Sequence, residues 1–306
     1  MAIFLPIAGI SINIFLVMGA GALVGFMSGM FGVGGGFLLT PILIMMGIPP
    51  TVAAASDSCQ IVAASSSGAA AHFRLGNVDV KLGLILLLGG LTGGAVGVRI
   101  IKALRALGNA DFLITVTYVV VLGSVGSYMF FESLSALRRR GTVPRKSGKA
   151  GKPGLLARLP FQMDFPTAGV RHSIFVPFAL CMLVGILAAI MGVGGGFIMV
   201  PMMVYLLRMP MHVAVGTDLF QIFFTCAGVT FMQATTNHTV DLVLAILLMV
   251  GSTIGAQVGA RVGKRLHGDQ LKILLASIVL LVMVKMAWSL VATPATLLSY
   301  AKSGGH

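Results

Sequence analysis

The sequence predicts an all-α polytopic membrane protein: two homologous repeats, inverted relative to each other, with eight full helices and two short or broken ones. Three observations predict it. Composition comes first: 57% of the chain is hydrophobic, only 9% is charged, and the mean hydropathy is +1.01. Soluble domains carry about 25% charged residues, so this chain belongs in lipid. Length of apolar runs comes second, because spans of about 20 apolar residues cross a bilayer as helices. Internal repetition comes third. GVGGGFLLTP at 32–41 recurs as GVGGGFIMVP at 192–201.

Taken in order, apolar spans fall near 10–31, 52–71, 82–101 and 112–131 in the first half. In the second half they fall near 174–191, 213–232, 242–260 and 273–292. Two shorter apolar pieces, about 37–48 and 197–207, each follow a glycine cluster. Membrane β-strands alternate apolar and polar residues, and these segments are apolar all round, which argues against a barrel. No basic region precedes the first apolar stretch, so the first helix is expected to act as the insertion signal rather than as a cleaved leader.

The repetition continues beyond the glycine clusters. Val52, Ala53, Asp57, Gln60 and Ile61 recur as Val213, Ala214, Asp218, Gln221 and Ile222. Asp79, Gly89, Gly97, Arg99 and Lys102 recur as Asp241, Gly251, Gly259, Arg261 and Lys264. The offset moves from 160 (192 − 32) to 162 (241 − 79), as expected for a tandem duplication with two single-residue insertions. The domain reading is a first transmembrane repeat at 1–131, a basic linker at 132–172 and a second repeat at 173–306.

The net charge of +13 is concentrated: nine basic residues lie between Arg138 and Arg171. Such a run could be read as a nucleic-acid surface. The favoured reading is a cytoplasmic loop fixed by the positive-inside rule and touching anionic lipid headgroups. If each half crosses five times, the 261–272 loop joins it, together with Arg74, Lys81 and Arg208, and the repeats are inverted. If the short pieces re-enter and leave on one side, each half crosses four times and that loop moves outside. The charge count favours five plus five.

Gly32, Gly34, Gly35 and Gly36, and likewise Gly192, Gly194, Gly195 and Gly196, should break the helix that precedes them, because glycine costs about 1 kcal/mol per residue in a helix interior. A new short helix beginning there presents free N–H groups and the positive end of its dipole, an anion site without a buried cation. Close helix packing through small residues is the competing explanation. A dinucleotide-binding loop is excluded by the lack of a preceding strand pattern and of the acidic residue about 20 positions on.

Asp57 and Asp218 lie inside apolar helices, where a charge costs roughly 3 kcal/mol without a partner or a wet cavity. Ser56, Asp57, Gln60 and Ser67 share one face, as do Thr217, Asp218, Gln221 and Thr225. The substrate-binding set is therefore expected to be Gly34, Gly35, Gly36, Ser56, Asp57 and Gln60 with Gly194, Gly195, Gly196, Thr217, Asp218 and Gln221. The alternative for the polar stripes is an interhelical network or a helix cap. Arg99 and Arg261 are read mainly as interfacial anchors, with anion recruitment the minority view. Cys59, Cys181 and Cys226 lack metal-ligand or redox spacing and read as packing residues. The six histidines are scattered and form no H-E-x-x-H, so no metal, no cofactor and no enzyme is expected.

These motifs bring the chain to a family. GVGGGFLLTP followed by GIPPTVAAAS, AHFRLGNVDV and GGAVGVR, echoed by GVGGGFIMVPMMV, VAVGTDLFQ and GAQVGARVGK, resembles the sulfite exporter TauE/SafE family over 10–131 and 174–292. The resemblance implies a multi-pass permease of the bacterial inner (cytoplasmic) membrane for small sulfur-containing anions such as sulfite or organosulfonates. An anion channel and a permease for a non-sulfur organic acid are the alternatives. The family's usual Thr-Ser pair is replaced here by Ser56-Asp57 and Thr217-Asp218, and the basic loop is longer. A protonated carboxyl donates a hydrogen bond to an anion instead of repelling it, so Asp57 and Asp218 are the candidates for proton coupling. The expected partners are a small anion and membrane lipid, with no nucleic acid; monomer and homodimer both remain open.

Overall fold

The computed structural model describes residues 2–31, 36–108, 110–138, 161–263 and 268–291. Each half opens on a two-stranded hairpin and continues as helices. The first half has β1 (Ala2–Leu5), β2 (Ile10–Asn13), α1 (Ile14–Phe31), α2 (Gly36–Met45), α3 (Pro50–Arg74), α4 (Val80–Ala106) and α5 (Ala110–Arg138). The second has β3 (Gln162–Phe165), β4 (Val170–Ser173), α6 (Phe175–Met191), α7 (Gly196–Tyr205), α8 (Met211–Met232), α9 (Leu242–Gly263) and α10 (Gly268–Val291), with a π turn over Gln233–Asn237 after α8. The expected eight long helices and two short ones are among these, the short ones being α2 and α7.

Two short hairpins accompany the mostly helical fold that the all-α reading expects. Leu5 pairs with Ile10 and Phe165 with Val170 around Pro-x-Ala-Gly turns, whose Gly9 and Gly169 sit at φ +67° and +65°. The turn thus recurs at an offset of 160 (169 − 9), which the apolar-run reading passes over. Leu5 and Phe165 are fully buried. The second hairpin lies almost wholly in the stretch assigned to the linker, and α5 runs on past residue 131. Residues 139–160, most of that linker, fall outside the described residues.

Helices α4, α5 (over Ala110–Tyr128), α8 with its π turn, and α9 are each long and apolar enough to cross a membrane. Large apolar side chains such as Phe15, Leu88, Phe112, Leu183, Ile254 and Trp288 face outward, while Asp57, Gln60, Asp218 and Gln221 are buried. That inside-out distribution is what lipid demands, because a polar group costs least where protein partners surround it.

Glycine stripes set the packing. Gly89, Gly93 and Gly97 of α4 lie on α6: a Cβ at Gly93 would stand 2.0 Å from the Met182 carbonyl oxygen. Gly251, Gly255 and Gly259 of α9 lie on α1 in the same way, a Cβ at Gly255 falling 2.0 Å from the Ala22 oxygen. Small residues every fourth position let backbones approach this closely. Further contacts join α3 to α8 and α5 to α10.

Two ends of the bundle are defined by what meets there. Ile7, Pro49, Thr51, Arg105 and Asp111 line a cleft of ≈ 290 Å³ at one end. At the other, Asp79 accepts the Ala168 N–H at 3.2 Å, His172 Nε2 lies 2.9 Å from the Leu207 oxygen, and Gly216 packs on Asn77. Helix α4 runs from the second end to the first, since Asp79 caps its start and Arg105 lies in its last turn.

Candidate functional site

The two short helices begin side by side. Phe37, at the start of α2, stacks on Phe197, at the start of α7, with ring centroids 5.1 Å apart and planes 22° apart. Gly36 packs on Ile61 and on the Val193 backbone, since a Cβ there would stand 2.4 Å from Ile61 Cδ1 and 3.2 Å from the Val193 oxygen. Gly194 packs on Ile61, Ile222 and Cys226. Both helix starts therefore share the middle of α3 and α8.

Local sequence explains α7's start. Gly194 and Gly195 stand at φ +72° and +83°, conformations that side chains rarely adopt. Gly195 is the N-cap and offers no side-chain cap to the helix N–H groups, which an α-helix leaves without intrahelical partners. Gly196 is the first residue of the helix. In the first copy only Gly36 is within the described residues; Gly34 and Gly35 lie outside them.

The polar stripes divide into two groups. Ser56 and Thr217 are caught by backbone: Ser56 Oγ accepts the Asp241 N–H at 3.1 Å, and Thr217 Oγ1 accepts the Asp79 N–H at 3.0 Å. Asp79 and Asp241, which the sequence marks only as repeat positions, are helix caps that also hold a hairpin of the other half. Asp79 accepts from Leu82 N and Ala168 N, and Asp241 accepts from Leu244 N and Ile7 N.

Asp57, Gln60, Asp218 and Gln221 form the second group, and here the halves differ. Thr40 Oγ1 of α2 donates to Asp57 Oδ2 at 2.7 Å. Val200 stands at the equivalent place in α7, so Asp218 has no such donor and instead accepts from Gln221 Nε2 at 3.2 Å. Gln60 turns the other way, donating Nε2 to Ser252 Oγ of α9 at 2.7 Å. The position equivalent to Ser252 is Gly90, which leaves Gln221 Oε1 to accept from Thr225 at 3.0 Å and from Cys181 at 3.6 Å. Tyr118 of α5, with its hydroxyl donating to the Met191 oxygen, also interacts with Thr40 and Asp57. Cys226 lies within electrostatic range of both aspartates.

The structure thus brings the described glycines, both aspartates and both glutamines to one buried region. It leaves Arg99 exposed on α4, away from that region. The side chains of Arg261 and Ser67 lie outside the described residues. Thr40, Tyr118, Cys226 and Ser252 were missed by sequence reasoning. Comparing the repeats residue by residue flags Thr40, which is Val200 in the other copy; Tyr118 carries no such signal. Among the described residues no group of three or more His, Cys, Asp or Glu side chains is placed to hold a metal.

The family model described as sulfite exporter TauE/SafE matches residues 17–286. The chain is similar to a probable membrane transporter protein YjnA of Bacillus subtilis, 24% identical over 270 residues, covering 88% of this chain and 97% of the relative. It is also similar to the probable membrane transporter protein YunE of that organism, at 26% over 240 residues, 76% of this chain and 82% of the relative. Sulfite exporter TauE/SafE family protein 5 of Arabidopsis thaliana is 33% identical over 116 residues, 37% of this chain and 23% of the relative. No solved structure matches the chain.

Proposed function

We propose that this chain, which belongs to the sulfite exporter TauE/SafE family of membrane transporters, is a secondary exporter of small sulfur-containing anions such as sulfite or organosulfonates. The observation that carries the proposal is the meeting of two glycine-started helices at Phe37 and Phe197. Their N-termini supply N–H groups and positive dipole ends to one anion, with Gly194, Gly195 and Gly196 at the start of α7 and Gly36 at the start of α2. Gln60 and Gln221 flank it. A buried carboxyl of the same region carries the coupling proton, giving proton-coupled transport.

The repeats, 1–131 and 173–306 about the basic linker 132–172, are read as inverted. Support comes from the ends of the elements. Pro49, just after α2, lines the same cleft as Ile7, just before α1, so that pair starts and finishes at the Arg105 end. Leu207, just after α7, meets His172, just before α6, so the second pair starts and finishes at the Asp79 end. Glycine-broken helices in both of two inverted repeats are the pattern of secondary transporters whose site lies at the midplane. Arg74, Lys81, Arg171 and Arg208 gather at the Asp79 end, which the positive-inside rule places in the cytoplasm of a bacterial inner membrane. Outward movement of an anion is then favoured by about 2.3 kcal/mol per charge per 100 mV, and no ATP is required.

Full-length protein in liposomes with labelled sulfite, thiosulfate and a small sulfonate tests the reading. Saturable uptake of one of them, abolished in Gly195→Leu while the protein stays folded and membrane-inserted, is expected. Single-channel currents would replace the carrier by a channel, and normal transport by Gly195→Leu would reduce the glycines to packing elements.

A further inference from the structure

We infer that the coupling proton resides on Asp57, where it joins the carboxyl to the face of α3 that carries Gln60. This rests on the transport reading above and narrows two symmetry-related candidates to one. The argument is a count of hydrogens. Asp57 Oδ1 and Gln60 Oε1 are both buried acceptors without a partner. They sit three residues apart on α3, which places them on one helix face.

Every neighbouring hydroxyl already donates elsewhere. Thr40 gives its hydrogen to Asp57 Oδ2, Tyr118 gives its own to the Met191 oxygen, and Ser252 donates to the Met249 oxygen at 3.2 Å. Gln60 donates Nε2 to Ser252 Oγ on α9, with Oε1 directed away from it. The Thr40 backbone N–H also reaches the Asp57 carboxylate, yet Asp57 Oδ1 and Gln60 Oε1 keep no partner. One proton on Asp57 Oδ1 removes the deficit, since a neutral carboxyl is both donor and acceptor. Buried acceptors without hydrogens cost about 1–3 kcal/mol each.

The second copy is arranged differently. Gln221 donates to Asp218 Oδ1 and accepts from Thr225 and Cys181, and neither Asp218 nor Gln221 has a buried atom without a partner. The ionisable groups that face Asp57 are the Tyr118 phenol from α5 and, at longer range, the Cys226 thiol from α8. Helix α2 contains no ionisable residue. Helix α9 has none before Arg261, and Cys181, the one on α6, faces Gln221. No cation among these substitutes for the proton. Thr51, six residues before Asp57, lines the cleft at the Arg105 end, about 9 Å along the helix at 1.5 Å per residue.

Infrared spectroscopy of the full-length protein in lipid reads this directly. At neutral pH a protonated-carboxyl stretch is expected in the parent protein, lost in Asp57→Asn and kept in Asp218→Asn. Gln60→Leu keeps the carboxyl but removes its acceptor, so the same band should move to higher frequency; this assigns the proton even if Asp57→Asn does not fold. Absence of the band, its survival in Asp57→Asn, or no movement in Gln60→Leu would overturn the assignment. So would its appearance only when sodium is withheld, which would make sodium the occupant. Labelled sulfite uptake in parallel separates the two ideas: no uptake by the parent protein sinks the transport reading and leaves the infrared result standing.

Discussion

The Ser56 hydroxyl accepts the backbone N–H of Asp241 across 185 residues. Thr217 does the same for Asp79 across 138 residues. Each half thus pins the start of a long helix in the other. The two aspartates complete the exchange by capping α4 and α9 and holding the Ala168 and Ile7 N–H groups of the opposite hairpins. A pair of crossed anchors of this kind keeps the halves in register at both ends of the bundle.

Asp79→Ala and Asp241→Ala should therefore destabilise the protein to a similar degree. Losing a cap costs about 0.5–2 kcal/mol, and each leaves a hairpin N–H without its acceptor, adding roughly 1–3 kcal/mol. Thermal unfolding in detergent checks this, with Asp164→Ala as the control because its ion pair with Arg171 is exposed. Equal melting points for all three variants would show that the anchors carry no stability.

Helix packing gives a second prediction. Gly93→Ala and Gly255→Ala each place a Cβ 2.0 Å from a backbone oxygen, which only helix displacement relieves. Overpacking of this kind costs about 1–3 kcal/mol, and a backbone neighbour puts these sites at the upper end. Gly19, exposed on α1 with nothing within 4 Å, is the contrast: Gly19→Ala should gain up to about 1 kcal/mol in helix propensity. Melting temperatures of the three should move down, down and up or not at all.

Sidedness gives a third. Single cysteines at Ser147, in the linker, and at Gly268, the first residue of α10, should react with a membrane-impermeant thiol reagent from the same, cytoplasmic side in a background without Cys59, Cys181 and Cys226. Labelling from opposite sides would restore the four-plus-four arrangement, in which the short helices leave on the side they entered.

Helix positions were legible because apolar length and glycine breaks act locally: α2 starts at Gly36 and α7 at Gly196, where the clusters say they should. The hairpins were not: the first borders the apolar run of α1, and QMDF and VRHS of the second read as part of the basic linker. Asp57 and Asp218 stood out since a charge in lipid is costly, and both are buried. Which atoms they bond was hidden. Ser56 and Thr217 differ by one methyl and both face backbone, whereas Thr40 against Val200, a similar change in a sequence alignment, decides whether the neighbouring aspartate has a hydroxyl donor. Chemistry at one position depended on residues 17 to 192 positions away, and periodicity carries nothing at that range.

The last prediction uses the asymmetry between the halves. Gly90 and Ser252 are equivalent, and so are Ala64 and Thr225. Gln60 of α3 meets Ser252 of α9, whereas Gln221 of α8 lies beside Gly90 of α4 and takes its hydroxyl from Thr225 of its own helix. Each of these two places therefore carries one hydroxyl, and both hydroxyls come from the second half. Gly90→Ser alone puts its Cβ 2.7 Å from Thr225 Oγ1 and should destabilise, by about 1–3 kcal/mol for an overpacked contact. Thr225→Ala alone removes a donor from Gln221 Oε1, at about 1 kcal/mol for one hydrogen bond. Made together they rebuild the α3–α9 arrangement between α8 and α4, with the new serine free to accept from Gln221 as Ser252 accepts from Gln60. The double variant should then recover most of the Gly90→Ser loss, a non-additivity of 1 kcal/mol or more in a double-mutant cycle. It should also turn Gln221 away from Asp218, so that a second protonated-carboxyl band joins the one at Asp57. Additive melting temperatures with an unchanged infrared spectrum would show that the serine and threonine positions are independent and that the glutamine orientation is set by something else.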